Sequence, residues 1–213
     1  MKHTTAVIPV YNEEKTLAGV LRALKKSKYI NDILVINDGS TDSSLKIAKK
    51  YNINIINLKR NLGKSEAIKK ICANMDTDII FFCDADLIRF KPSYADKIIE
   101  PVVKGKAVMS LGFRIYLASE YFKDILPAIT GERAILNSVF QEIIQSNYFS
   151  GWGMELVMNE YCRRNNLPVC ANSFNYRPLI KTEKHGYKAI KSLIMEFFEL
   201  TSIFIYLRIL GRF

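Results

Sequence analysis

The apolar and polar positions of the first ninety residues follow two periods in alternation. Continuous apolar runs at residues 6–10, 33–36 and 79–83 are typical of parallel strands buried on both faces, and residues 53–57 form a further candidate strand, the third of the four in chain order. Between the runs, apolar residues recur at helical spacing, most clearly Leu17, Val20, Leu21 and Leu24. This strand–helix alternation predicts an α/β fold: one Rossmann-like domain, a mostly parallel central sheet and helices on both faces.

Polar residues mark where the predicted helices of this first part begin. Asn12 is predicted to cap the first helix, with Glu13 and Glu14 as first-turn acids. Turn and cap residues at 37–42 precede the second helix, and residues 61–65 precede the third.

After Asp86 the pattern is less regular. A helix is predicted over 93–103 with Pro101 as a local break, followed by a strand near 107–116. Further helices are predicted near 120–127, 132–146, 154–165 and 187–210, with a strand at 169–176.

Composition narrows the class of protein. The 213 residues suit one domain, and 49% hydrophobic with 24% charged residues excludes disordered, collagen-like and coiled-coil chains. Thirty-one Lys and Arg against 21 Asp and Glu give a net charge of +10, which favours an anionic partner. A phosphorylated small molecule or an anionic membrane fits better than nucleic acid, because neither an arginine-rich arm nor a nucleic-acid motif is present.

The cysteines and the two ends of the sequence suggest a location. Four cysteines without CxxC spacing, and a sequence that opens directly into a strand, predict a reducing, cytoplasmic setting. Residues 197–210 are apolar but interrupted by Glu199 and Arg208, so they make a poor membrane span. Docking on the core, a homodimer contact and peripheral membrane contact at the cytoplasmic face all remain open for this segment.

Candidate functional residues follow the ends of the predicted strands. Ligands of open parallel sheets bind outside the carboxyl ends of the strands. The polar residues there are Tyr11, Asn12 and Glu13 after the first strand, Asp38 and Gly39 after the second, Gly63 and Lys64 after the third, and Asp84 and Asp86 after the fourth.

Asp84 and Asp86 are candidate ligands of a divalent cation. Mg²⁺ and Mn²⁺ are commonly held by one or two carboxylates together with substrate phosphates. Asp38 is either a turn residue or an acceptor for a base N–H or ribose hydroxyl, and Lys64 is either a surface lysine or a phosphate contact. The Gly63-Lys64 pair is not a P-loop, because the first glycine of that motif is absent.

These motifs resemble those of the GT-A fold, family 2 glycosyltransferases. They are PVYNEE at 9–14, NDGSTD at 37–42, NLGK at 61–64 and DAD at 84–86. Further on, GERA at 131–134, GWGMEL at 151–156 and KHG at 184–186 resemble the arrangement in glucosyl-3-phosphoglycerate synthases, which are close in plan to dolichyl-phosphate mannosyl and glucosyl transferases. The resemblance implies a nucleotide-sugar-binding half at 1–115 and an acceptor half of the same domain at 116–186. The residues themselves predict a C-terminal amphipathic or apolar helix at 187–213.

The resemblance also implies roles for individual residues. Asp84 and Asp86 would bind Mg²⁺ or Mn²⁺ on the donor diphosphate, with His185 as a third ligand or phosphate contact. On the residues alone, His185 is a surface loop histidine. The implied nucleotide-sugar contacts are Pro9, Tyr11, Asn12, Glu13, Asp38, Gly39, Gly63, Lys64, Asp84 and Ala85.

The implied reaction moves a sugar from a nucleoside-diphosphate sugar, of the UDP-glucose or GDP-mannose type, to a hydroxyl or phosphate acceptor such as phosphoglycerate or polyprenyl phosphate. Glu155 and Glu132 are candidate bases for the acceptor, and both are equally interpretable as first-turn helix acids. Two other classes stay open. A nucleotidyltransferase needs a glycine-rich basic loop after the first strand, where this chain has an acidic one, and a non-catalytic nucleotide-sugar-binding protein does not need Asp84 and Asp86.

Overall fold

The computed structural model describes residues 2–114, 130–145, 149, 153–174 and 177–178. Its first strands and helices are β1 (Thr4–Val10), α1 (Leu17–Leu24), β2 (Asp32–Asn37), α2 (Ser44–Ala48), β3 (Asn54–Asn57), α3 (Lys64–Cys72) and β4 (Ile79–Phe82). There follow β5 (Leu87–Ile88), α4 (Pro92–Val103), β6 (Met109–Arg114), β7 (Arg133–Leu136), α5 (Asn137–Ile143), α6 (Met154–Arg164), β8 (Val169–Phe174) and β9 (Arg177–Pro178). The predicted helix at 120–127, His185 and the segment 187–213 lie outside the described residues.

The central sheet has seven strands in the order β3-β2-β1-β4-β7-β6-β8, and β5 pairs with β9 in a separate two-stranded sheet. β1, β2, β3 and β4 are parallel neighbours, as are β6 and β8, whereas β7 runs antiparallel to both β4 and β6. The α/β prediction with a mostly parallel sheet is confirmed. From β1 the chain proceeds outward on one side through β2 and β3, and then crosses to β4 on the other side. The switch point of the sheet, where such folds bind ligands, therefore lies between β1 and β4.

Pro9 sits inside the central strand β1 without breaking the sheet. Main-chain pairing between β1 and β4 spans Thr4 to Val7, and the N–H of Cys83 donates to the carbonyl of Val7 at 3.1 Å. Along β1, the main-chain groups of every second residue point toward β4, and Val7 and Pro9 both belong to this set. The N–H that Pro9 lacks would therefore point to a place beyond the end of β4, where no strand needs it.

Two apolar clusters lie on the two faces of the sheet. One contains Ile8, Leu21, Val35, Phe81 and Ile98, and packs α1 and α4 against the strands. The other contains Ile68, Phe82, Ile135, Phe140 and Val157, and packs α3, α5 and α6 against the opposite face. Both faces of β4 are fully buried, as its continuous apolar run predicts.

The helix predicted over 132–146 is wrong for its first part. Residues Arg133–Leu136 form β7, and only Asn137–Ile143 is helical. Ala134 pairs with Phe81 and Ile135 with Ile80 in the antiparallel ladder. The partner strand, more than fifty positions away, overrides the local helical preference of this segment.

Two smaller details also differ from the sequence prediction. Helix α1 begins after Thr16, while Asn12 has a φ of 57° and its side-chain oxygen accepts the main-chain N–H of Thr41 at 2.8 Å. Pro101 lies within α4 rather than breaking it, and the carbonyl of Lys97 accepts a hydrogen bond from the Asn172 side chain at 3.4 Å. Across the described part of the chain, the helices are all too short or too polar to traverse a bilayer.

Candidate active site

The carboxyl ends of β1, β2, β3 and β4 meet at one edge of the sheet, because these strands are parallel neighbours. The sequence-predicted residues lie there. Tyr11 projects into solvent with 47% of its surface exposed, whereas Asp38 and Ala85 are buried at 3% each. Pro9, Asn12, Glu13, Gly39, Gly63, Asp84 and Asp86 are half-buried.

The acidic loop after β1 is tied to the loop after β2. The main-chain N–H of Asn12 donates to the Ser40 hydroxyl at 3.1 Å, and that of Glu13 donates to the Ser44 hydroxyl at 2.8 Å. With the Asn12 side chain bonded to the chain at Thr41, these contacts fix the loop that presents Tyr11.

Asp38 holds the loop that leads into α3. Its two carboxylate oxygens accept the main-chain N–H groups of Leu62 at 2.8 Å and Gly63 at 2.9 Å. Gly63 has φ +86° and ψ 151°, a backbone conformation that L side chains rarely adopt, and it directly precedes Lys64. Asp38 therefore fixes the start of α3, a role that the sequence did not indicate. Its contact with a nucleoside stays a prediction.

Lys64 joins two carboxylates from distant parts of the chain. Its ammonium lies 2.7 Å from Oδ1 of Asp84 and 2.9 Å from Oε1 of Glu155. Only 28%, 25% and 9% of the three side chains is exposed, in the order Lys64, Asp84, Glu155. Burial by itself would lower the pKa of Lys64, but the Asp84 and Glu155 carboxylates overcome this and hold it well above its ordinary 10.5. We call Lys64, Asp84 and Glu155 the ion-pair cluster.

Gly131 packs against the back of the Asp84 carboxylate. A Cβ at position 131 would lie 2.3 Å from Oδ2 and 2.6 Å from Oδ1 of Asp84. With any larger residue at position 131, the Asp84 carboxylate would have to move from this position. The GERA motif thus contributes to the site first through its glycine.

Arg133 is the main feature of the site that sequence reasoning missed. This residue is fully buried, and its guanidinium donates to the main-chain carbonyl of Glu155 at 3.2 Å, to Oδ1 of Asn159 at 3.3 Å and to the carbonyl of Thr130. It therefore connects β7 to the first turn of α6, from which Glu155 projects. A charged residue within an otherwise apolar strand was the signal that could have revealed it.

The two candidate bases differ in their surroundings. Glu132 is completely buried, and its Oε2 accepts the hydroxyl of Thr130 at 2.9 Å. Glu155 retains a small exposed surface and belongs to the ion-pair cluster. The geometry favours Glu155 for contact with a substrate.

The chemistry of the site fits a divalent cation. The carboxylates of Asp84 and Asp86 are the hard oxygen donors that Mg²⁺ and Mn²⁺ prefer, and an ammonium cation already lies against Asp84. Among the described residues, no group of three or more His, Cys, Asp or Glu side chains is placed to hold a metal ion. A two-carboxylate site completed by substrate phosphates suits this arrangement, and the predicted third ligand, His185, lies outside the described residues.

Comparison with known proteins gives a consistent result. The sequence model described as Glycosyl transferase family 2 matches residues 5–160. A dolichyl-phosphate beta-glucosyltransferase of Trichomonas vaginalis is 32% identical over 98 residues, covering 39% of this chain and 29% of that protein. A 4,4'-diaponeurosporenoate glycosyltransferase of Staphylococcus aureus is 29% identical over 103 residues, covering 46% of this chain and 28% of that protein. The matches thus span less than a third of either relative.

A solved structure shares the fold. Glucosyl-3-phosphoglycerate synthase from Mycobacterium tuberculosis, crystallised with Mn²⁺, UDP-glucose and phosphoglyceric acid, superposes with a TM-score of 0.69 at 18% identity. The superposition covers 92% of this chain and 79% of that one. At this identity the likeness establishes the fold alone.

Proposed function

This chain belongs to glycosyl transferase family 2, and on that basis we propose that it transfers a sugar from a nucleoside-diphosphate sugar to an acceptor that carries phosphate. The observation that carries the proposal is the ion-pair cluster at the carboxyl edge of the sheet, where Lys64 at the start of α3 and Asp84 after β4 meet Glu155 of α6. The site therefore combines a phosphate-binding cation, a metal-binding carboxylate and a candidate base.

On the donor side, Asp84 and Asp86 would hold Mg²⁺ or Mn²⁺, with His185 proposed as a further ligand. When bound, the metal would neutralise the negative charge that develops on the departing diphosphate. Tyr11 offers an exposed side chain just after β1, and we propose it, with Pro9, Glu13 and Asp38, as a nucleoside contact. Asn12, Gly39, Gly63 and Ala85 belong to the loops after the same strands and are proposed as further nucleotide-sugar contacts.

On the acceptor side, we propose Glu155 as the group that takes the proton of an attacking hydroxyl. Its main chain is fixed by Arg133 and its carboxylate by Lys64, so the group is held in one orientation. An oriented carboxylate within hydrogen-bond reach of the nucleophile is what general base catalysis needs. Glu132 is the weaker candidate because it is completely buried.

The substrates of similar proteins suggest which donor and acceptor this chain would use. The structural neighbour was crystallised with UDP-glucose and phosphoglyceric acid, and a curated relative is a dolichyl-phosphate glucosyltransferase by name. The net charge of +10 also suits anionic substrates. UDP-glucose, GDP-mannose and phosphoglyceric acid are therefore the first compounds to test.

A thermal-shift panel of UDP- and GDP-sugars, with and without Mn²⁺, tests the proposal. A donor at one hundred times its dissociation constant should stabilise the protein by about 2.7 kcal/mol, and it should do so only with the metal, since Asp84 and Asp86 repel a diphosphate without it. Equal stabilisation in EDTA would refute metal dependence, and no stabilisation by any nucleotide would refute the proposed donor class.

A further inference from the structure

Lys64 lies where a metal ion would have to act. Its ammonium is 2.7 Å from Oδ1 of Asp84. On the other side of the same carboxylate lies the main chain of Gly131, so close to Oδ2 that no Cβ would fit between them. A cation that approaches Asp84 from the site therefore meets the ammonium group at Oδ1.

Two cations that share one carboxylate oxygen repel each other strongly when the site is largely buried. About three quarters of the Lys64 and Asp84 side chains is buried, so water screens their charges only partly. Moving the ammonium away from Asp84 without a new partner would leave this largely buried cation with only one of its two carboxylate partners, Glu155, which is unfavourable. In the absence of substrate, Lys64 therefore opposes the binding of a divalent metal at Asp84.

A nucleoside diphosphate supplies the missing partner. Its phosphate oxygens accept charge-assisted hydrogen bonds from an ammonium group, and the four-carbon stem of lysine lets that group move while its main chain stays fixed by α3. The contact to Glu155 at 2.9 Å gives Lys64 a second anchor during the exchange.

We propose that Lys64 is the resident counter-ion of Asp84 and exchanges Asp84 for the donor diphosphate when the metal binds, so that each of the two ligands strengthens the binding of the other. The inference rests on the proposed function, which supplies the metal and the diphosphate, but it assigns Lys64 a coupling role that neither the fold nor the family membership requires. Its consequence is that the site takes up metal and donor together and binds neither well alone.

Metal binding measured directly tests this role without an activity assay. Mn²⁺ titrations followed by electron paramagnetic resonance, with and without UDP, give the dissociation constant of the metal in both states. In the unsubstituted protein, UDP should tighten Mn²⁺ binding, and Mn²⁺ should tighten UDP binding by the same factor. Lys64→Gln should bind Mn²⁺ alone about tenfold more tightly, and its UDP-dependent gain should shrink by roughly fivefold or more, within the usual range of such couplings.

Two control variants distinguish the effect of the Lys64–Asp84 contact from the general loss of a positive charge and from misfolding of Lys64→Gln. Lys70→Gln removes an exposed charge from the same helix α3 and should change the metal affinity less than twofold. Lys64→Arg keeps a cation beside Asp84 and should retain the weak binding of Mn²⁺ alone, which makes the test independent of whether Lys64→Gln folds.

The outcomes are distinguishable. If Mn²⁺ and UDP bind the unsubstituted protein but Lys64→Gln leaves the coupling between them unchanged, the role of Lys64 is overturned and the proposed function stands. Tight binding of Mn²⁺ alone by Lys64→Arg also overturns it. If neither Mn²⁺ nor UDP binds any of the proteins, the proposed function is refuted and the coupling role with it.

Discussion

The main-chain N–H of Gly63 donates to Oδ2 of Asp38 across a distance of 2.9 Å. Through this bond, the buried end of β2 fixes the residue that precedes Lys64, and hence the position of the ion-pair cluster. A carboxylate at a strand end thus organises the site through the main chain of a neighbouring loop.

Replacing Asp38 with Ala removes the acceptor of two main-chain donors, those of Leu62 and Gly63. Leaving these groups without partners should lower the free energy of unfolding by about 1–3 kcal/mol. UDP binding should weaken because the loop before Lys64 loosens, while turnover at saturating donor changes less. Denaturant titration and calorimetry with UDP measure the two effects, and unchanged stability would contradict the role assigned to Asp38.

Asp86→Ala should have a different kinetic signature. If Asp86 binds the metal that neutralises the leaving diphosphate, its loss should cost roughly 3–4 kcal/mol in the transition state, a drop of about 10²–10³ in turnover. Asp76→Ala, an exposed residue before β4, serves as the matched control. Should Asp86→Ala and Asp38→Ala alter turnover and donor affinity in the same proportions, the roles proposed for them would be wrong.

Gly131→Ala should impair the site while the fold survives. The new Cβ would lie 2.3 Å from Oδ2 of Asp84, so the carboxylate, as the end of a side chain, has to swing away. Metal-dependent stabilisation by UDP should therefore be largely lost. Gly19→Ala is the control, since a Cβ there meets nothing within 4 Å and alanine favours a helix. Normal UDP and Mn²⁺ binding by Gly131→Ala would show that the Asp84 position is not critical.

Glu155→Gln tests the proposed base. Glutamine keeps the size of the side chain and an oxygen for Lys64, but it takes up no proton at neutral pH, so transfer from UDP-glucose to phosphoglyceric acid should be abolished while UDP binding is retained. Both quantities are measured on the same preparation. Near-normal transfer would leave the base unassigned and would favour a retaining mechanism, or an acceptor that attacks through an ionised phosphate.

Glu160 should contribute to stability in a pH-dependent way. Hydrogen bonds from Arg163, and then from Arg164, lower the pKa of this buried carboxyl from its ordinary 4.5 to about 2. A pKa that is lower in the folded state gives stability that is fully present above about pH 4.5 and is lost as the pH falls toward 2. Glu160→Gln should therefore reduce the free energy of unfolding by about 1–3 kcal/mol at pH 7. This is less than the full pKa shift would give, because Arg163 is partly exposed and water screens its charge.

The measurement for Glu160 is a series of denaturant titrations between pH 7 and pH 3. The difference between the unsubstituted protein and Glu160→Gln should narrow toward the acid end. Glu66→Gln, an exposed position on α3, should show no such narrowing. A difference that is constant with pH would mean that the ion pairs of Glu160 do not stabilise the fold.

The sequence alone was enough to place the first four strands, the three helices between them and the edge of the sheet where the candidate site residues gather. Both signals are local: period and apolar run length specify each strand and helix, and the carboxyl ends of parallel strands necessarily meet at one edge. That is why Lys64, Asp84 and Asp86 were identifiable from their positions after the strands. The cytoplasmic location and the contacts of residues 187–213 stay predictions.

Tertiary structure decided what depends on residues far apart in the chain. Arg133–Leu136 is a strand because β4 and β6 lie on either side of it, and the buried Arg133 meets its partners Glu155 and Asn159 on α6, more than twenty positions away. The contact between Lys64 and Glu155 joins residues 91 positions apart, and no periodicity encodes such a distance. Which carboxylate a lysine meets is set by the packing of α3 and α6 on one face of the sheet, and that packing is a property of the whole apolar core.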